Sequence, residues 1–154
     1  MTASPAWALQ KALFAKLSAS DKLTVLLKGK NIYDDVPQQA AFPYLTLGDI
    51  RTLDWSTQTR RGHEHRVTLH AWSRQPGRGE IQAIIAAVDH ALDDAALGLE
   101  DHNLVNLRTI FWHALRETDG RTYHGIVRLR AVTEPESPPD DDPAVADMTC
   151  LEEW

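Results

Sequence analysis

Leu9, Leu13 and Leu17 recur every four residues, with Trp7 and Phe14 close to the same side, and this spacing predicts a helix over residues 5–18. Ser4-Pro5 supplies its start: a serine hydroxyl can accept from a free N–H of the first turn, and proline there has no N–H to leave unsatisfied. Ser20-Asp21 repeats the start signal for a short second helix through Leu23, Leu26 and Leu27, closed by Gly29. From Tyr44 the period drops to two, with Leu45 and Leu47 on one strand face and Tyr44 and Thr46 on the other. An extended run follows from Ile50 to Thr59, then the polar turn RRGHEH. In the next strand Val67, Leu69 and Ala71 alternate with Arg66, Thr68, His70 and Trp72. Together these make a long antiparallel hairpin with its tip at Arg60–His63.

Ile81, Ile84, Ile85, Val88 and Leu92 form one stripe of an amphipathic helix opening near Gly79. Asp93-Asp94 opposes the helix dipole and marks its end. Two further strand runs, Leu104 to Arg116 and Thr122 to Val132, flank ETDGR, whose Asp119-Gly120 is a hairpin signal. The order is helix, helix, hairpin, helix, hairpin. It predicts an α+β fold: an antiparallel sheet of hairpin-linked strands with helices packed on one face.

Charge divides the chain. Residues 134–154, EPESPPDDDPAVADMTCLEEW, hold eight acidic residues and no Lys or Arg. Residues 1–133 carry 14 acidic and 16 basic residues, a net +2. The expected organisation is therefore an α+β domain over 1–133 and an acidic, Pro-rich tail over 134–154, which cannot bury enough apolar surface to fold alone. A near-neutral body gives no case for nucleic-acid binding, which needs clustered Lys and Arg. The single cysteine, Cys150, has no internal partner, as suits a reducing cytoplasm. The opening MTASPAWALQKAL lacks a basic n-region and an unbroken apolar run, and no segment approaches the ~20 apolar residues of a membrane span.

Candidate chemistry is sparse. His63 and His65 share a strand face, but zinc normally needs three or four converging ligands, and Glu64 and His70 have the wrong parity to join them. Solvated hairpin histidines are the favoured reading. His90, His102, His113 and His124 fall on a helix, a loop and two strands without metal-motif spacing, although His113 and His124 could approach across the last hairpin. There is no GxSxG elbow, and Cys150 sits among carboxylates that would suppress its thiolate. No catalytic, cofactor or metal residue is assigned.

The five tryptophans are more informative. Core packing is the expected role of Trp7 and Trp112. Trp72, on the polar face of its strand, and Trp154 fit either packing or contact with another molecule, where tryptophan is enriched.

The series YDDVPQQAAFPYLTLGD, then WSTQTRRGHEHRVTLHAWSR, then GRGEI and DGRTYHGIVRLRA resembles the tail terminator, or tail completion, family of long-tailed phages and phage-like gene transfer agents. The resemblance spans about residues 7–133, and the acidic tail lies outside it. It implies a non-enzymatic α+β subunit that assembles as a homo-hexameric ring. The ring would cap the tail tube protein and offer a surface to the head-tail connector or stopper, with DNA only passing through its channel. It would be made in the bacterial cytoplasm and carried in the particle near the neck, without cofactor, metal or membrane.

Pro37 and Pro43 would then hold Gln38, Gln39 and Phe42 in a preformed contact loop. Arg60 and Arg61, at the hairpin tip, would either reach a neighbouring subunit or a tube subunit, or stay solvated. With Trp72 and Trp154 these are the candidate interface residues. Two other readings stay open: another neck or adaptor protein of the same particle, and a small metal-dependent enzyme using His63 and His65.

Overall fold

The computed structural model describes residues 4–136. Trp154, Cys150 and the acidic segment beyond Glu136 lie outside the described residues. Helix α1 (Pro5–Ser18) starts as its sequence predicts, the Ser4 hydroxyl accepting from the Trp7 N–H at 3.3 Å. Helix α2 (Asp21–Leu27) is capped likewise by Ser20 on the Leu23 N–H, and ends one residue early, with Lys28 in the left-handed region at φ 59° before Gly29. A two-residue strand β1 (Ile32–Tyr33) follows, then β2 (Tyr44–Asp54), β3 (His63–Ser73), α3 (Gly79–Leu92), β4 (His102–Arg116) and β5 (Tyr123–Pro135).

The five strands form one sheet in the order β1-β2-β3-β5-β4. Hairpins β2–β3 and β4–β5 are antiparallel, as their turns predict, and β5 lies antiparallel between β3 and β4. Helix α3 makes the crossover between β3 and β4. The departure from a purely hairpin-linked sheet is β1, which pairs parallel with β2. Two residues between proline-bearing and helical segments leave no periodicity to read.

The three helices cover one face. Leu45, Val67, Leu69, Ala71, Val127, Leu129 and Ala131 project toward them and are buried, as are Ile81, Ile84, Val88 and Leu92 of α3. Each large side chain so buried contributes about 1.5–3 kcal/mol before entropy is counted. Helix α3 packs tightly on β5 at Gly125, where a Cβ would stand 3.0 Å from the Ile85 Cδ1 and 3.2 Å from the Ile81 Cγ1. The Asp93-Asp94 conflict is resolved by tertiary contacts: the Asp93 carboxylate accepts from the Thr109 N–H at 2.9 Å and from Arg108, which hold its pKa down.

Two sequence expectations are corrected. Trp7 and Trp112 are not core residues; they are 51% and 54% exposed. Trp7 is on the first turn of α1, half-exposed beside the start of the sheet, and Trp112 is on β4, the edge strand, beyond the cover of α3. Nor is His65 solvated. It is fully buried, its Nδ1 2.9 Å from the Thr52 hydroxyl on β2 and its Nε2 2.9 Å from the Thr133 hydroxyl on β5. Burial, with His63 and His102 nearby, lowers its pKa to about 4.

Candidate functional site

The face of the sheet away from the helices is open, and a row of rings crosses one end of it. Tyr44, Trp72 and His124 are in register on β2, β3 and β5. Trp72 stacks on His124 with centroids 3.9 Å apart and planes 9° from parallel, and Tyr44 lies 6.5 Å from Trp72. Trp72 is thus partly covered from within its own chain. The row anchors the proline-flanked loop: Phe42 packs on Tyr44 at 5.0 Å, and the Arg74 guanidinium sits over the Phe42 ring at 4.3 Å. The Phe42–Pro43 peptide is cis. Pro43 is buried, while Pro37, Gln38 and Gln39 are exposed on a turn closed by the Ala40 N–H donating to the Pro37 carbonyl.

Under this row runs a hydrogen-bonded chain that sequence reasoning missed. The carboxylate of Glu117 can only accept, so His124 donates from Nδ1 to Oε2 at 2.9 Å. Its Nε2 then accepts from the His70 Nδ1 at 2.7 Å. His124 therefore meets His70 on β3 and not His113, which is in register with Ile126. Burial lowers the His70 pKa, with His124 and Arg128 acting in the same sense and Asp49 against. Carboxylate, imidazole and imidazole in line suggest a proton relay. The last nitrogen, however, abuts the backbone: a Cβ on Gly48 would lie 3.0 Å from the His70 Nε2 and 2.7 Å from the Thr68 carbonyl. No substrate fits between them, and the chain reads as a strap across β3 and β5. The turn itself, from Asp119-Gly120, fixes Leu115 opposite His124 and could have flagged Glu117 as its neighbour.

Farther along the open face, Arg51, Arg66 and Arg130 stand in register on β2, β3 and β5, with Arg128 two residues before Arg130 on β5. Like charges directly opposite repel. Glu64 relieves two of them, accepting from Arg66 and Arg130, which lower its pKa. A trough of about 650 Å³ opens here, lined by Asp49, Ile50, Arg51, Arg66, Thr68 and Arg128.

The hairpin tip lies at the other end of the sheet. Its loop is closed by the Trp55 N–H on the Gly62 carbonyl and the Thr57 N–H on the Arg60 carbonyl. Arg60 pairs with Glu134 of β5, whereas Arg61 is exposed. The proline-flanked loop and the tip are separated by the length of β2, about 35 Å at the usual rise per residue. His63 and His65 gather no further ligand, and among the described residues no cluster of three or more His, Cys, Asp or Glu converges. Among the same residues no helix is long and apolar enough to cross a membrane.

The two lateral edges of the sheet differ in shape. On β4, Val105, Ile110, Phe111 and Trp112 are each 40–54% exposed. Phe111 pairs in register with Arg128, whose guanidinium lies over its ring, and Trp112 with Val127, so the two rings flank the edge from opposite faces. At the opposite edge, α1 and the start of the sheet enclose an apolar groove of about 390 Å³ lined by Trp7, Gln10, Lys11, Phe14, Asp34 and Leu47.

Residues 11–134 match the family model described as tail completion protein gp17. The chain is 27% identical over 123 residues to tail completion protein gp17 of Bacillus phage SPP1, covering 80% of this chain and 90% of that one. Among solved structures it resembles a chain of the virion of a native gene transfer agent particle, with TM-score 0.79 and 30% identity over 86% of this chain and 99% of that one. The solved structure of SPP1 gp17 matches with TM-score 0.57 and 26% identity, covering 81% and 88% of the two chains. Fold, matched length and sequence agree: this chain belongs to the tail completion protein gp17 family of phage and gene transfer agent particles.

Proposed function

We propose that the protein is a ring-forming subunit that terminates the tail tube and joins it to the head connector. The observation that carries this is the pairing of two dissimilar apolar surfaces on opposite edges of one sheet. A closed ring of identical subunits needs a heterologous contact, in which one surface of each copy meets a different surface of the next. The aromatic edge of β4, projecting Phe111 and Trp112, supplies one surface, and the groove bounded by Trp7 and Phe14 supplies the other. Large aromatic side chains seated in apolar pockets are the usual anchors of such contacts.

The ends of the sheet then serve the axial neighbours. The loop Pro37–Pro43, held by Phe42 against Tyr44 and Arg74, meets one of them, and the tip bearing Arg61 meets the other. A joint between tube and connector needs two unlike axial surfaces, and these lie at opposite ends of β2. DNA passes through the ring without sequence-specific contact, and assembly takes place in the bacterial cytoplasm.

Two variants test the heterologous contact. Trp112→Glu spoils the projecting edge and Trp7→Glu spoils the groove, and each alone should be monomeric by sedimentation. Mixed one to one, they should form a heterodimer and nothing larger, because only one intact edge faces one intact groove. Rings from either variant alone, or a mixture that stays monomeric, would refute the arrangement.

A further inference from the structure

Charge on residues 1–133 nearly cancels in sum, but the register of the sheet gathers arginines that the sequence keeps apart. Arg51, Arg66, Arg130 and Arg108 stand in register on the neighbouring strands β2, β3, β5 and β4. At the usual spacing between strands this row is about 14 Å long. Arg128, opposite Thr68 and two residues before Arg130, adds a fifth guanidinium about 7 Å along the same face. Carboxylates meet only part of this charge: Glu64 serves Arg66 and Arg130, and Asp93 holds Arg108. Among the described residues no ion pair joins Arg51 or Arg128 to a carboxylate. Asp49 is the acid lining the trough between them.

We propose that this open face binds the phosphate backbone of duplex DNA. In the ring reading, on which only its orientation rests, it is the face turned toward the axis. The make-up of the trough favours phosphate over an acidic protein. A protein contact is built around a buried apolar centre. Here, among the described residues, Ile50 is the apolar side chain lining the trough, beside three arginines and a threonine. Phosphodiester oxygens need only charge and hydrogen-bond donors, which the arginine fork supplies in pairs. A duplex carries one negative charge per about 1.7 Å of its axis, so a face this wide meets several phosphates at once. Arg51, Arg66 and Arg128 are exposed, and each can reach a phosphate without disturbing the core. Contact through the backbone alone carries no sequence preference. With about two to four phosphates engaged it is weak and reversible at physiological salt, so DNA can move past it.

The test titrates the intact chain into a short fluorescent DNA duplex and follows anisotropy over a series of salt concentrations. Engaging about two to four phosphates predicts that log K falls against log salt with a slope of about −2 to −4, the same for two duplexes of unrelated sequence. Arg51→Gln/Arg128→Gln should flatten the slope by about two and weaken binding about tenfold or more at the lowest salt. A thermal melt confirms that the double variant is folded. Arg121→Gln, which removes an exposed arginine from the turn between β4 and β5, should bind as the parent does. The proposal is overturned by no binding at low salt, or by binding indifferent to Arg51 and Arg128. Equal weakening by Arg121→Gln overturns it as well, since net charge alone would then account for the binding. Poly-glutamate held more tightly than DNA by the same two arginines also overturns it, and assigns the face to an acidic protein. Trp112→Glu, monomeric in the ring reading, should keep its arginine-dependent binding. Sedimentation therefore reads a failure of the ring separately from a failure of DNA binding.

Discussion

His65 offers a quantitative probe of the interior because its ring is sealed between Thr52 and Thr133 and carries no solvent exposure. In the unfolded chain it would bind a proton near pH 6.5, and in the folded protein only near 4. Between these values the unfolded state holds more protons, so stability is full above about pH 6.5 and falls as pH falls toward 4. The whole shift corresponds to about 3 kcal/mol at 1.36 kcal/mol per unit. Going from about pH 7 to about pH 5 traverses a little over half of it, roughly 2 kcal/mol. For a chain of this size that lowers the melting temperature by about 4–8 °C. Burial lowers the His70 pKa as well and acts in the same sense, so the comparison is with His65→Gln, whose amide can still bond both hydroxyls. Urea unfolding of both proteins at the two pH values gives the difference directly. His65→Gln should lose about 2 kcal/mol less than the parent on acidification. Equal losses would show that the ring titrates as if in water, and would refute its placement.

Gly125→Val drives a branched side chain into Ile81 and Ile85 of α3, and chemical denaturation should show a loss of about 1–3 kcal/mol. Ser20→Ala leaves the Leu23 N–H without its cap and should cost about 1 kcal/mol by the same measurement, with assembly unchanged. Asp119 accepts from the Thr122 hydroxyl and from the Arg121 and Thr122 N–H groups, which lower its pKa to about 2. The turn should therefore keep its stabilisation as acid is added until the pH falls below the usual carboxylate range. Carbon-detected titration of the Asp119 carboxyl should give a midpoint well under the usual carboxylate range. Deleting Gln38–Ala41 should abolish capping of tail tubes while leaving the melting temperature within a few degrees, since these residues are largely exposed.

Much of this architecture was legible in the sequence because the periodicity was clean. The leucine spacing of α1, the isoleucine stripe of α3 and the alternation of β3 and β5 each name the face that is buried. What escaped was set by neighbours distant in the chain. Nothing near Trp112 indicates that β4 is an edge strand outside the cover of α3, so an exposed tryptophan read as core. The sequence around His65 implies a solvated ring because Thr52 and Thr133, which enclose it, come from two other strands. The Glu117–His124–His70 chain and the row Arg51–Arg66–Arg130 need the register of three strands at once, which no single segment contains. The proline-flanked loop was visible as a loop, but its anchor on Tyr44 and Arg74 was not.

Electron microscopy of tail tubes polymerised with and without the purified protein tests the central proposal most directly. Assembly by the two edges predicts tubes that stop growing and carry a ring of repeated subunits at one end, absent when Trp112→Glu replaces the parent. Tubes that elongate freely and bare-ended in the presence of folded protein would contradict it.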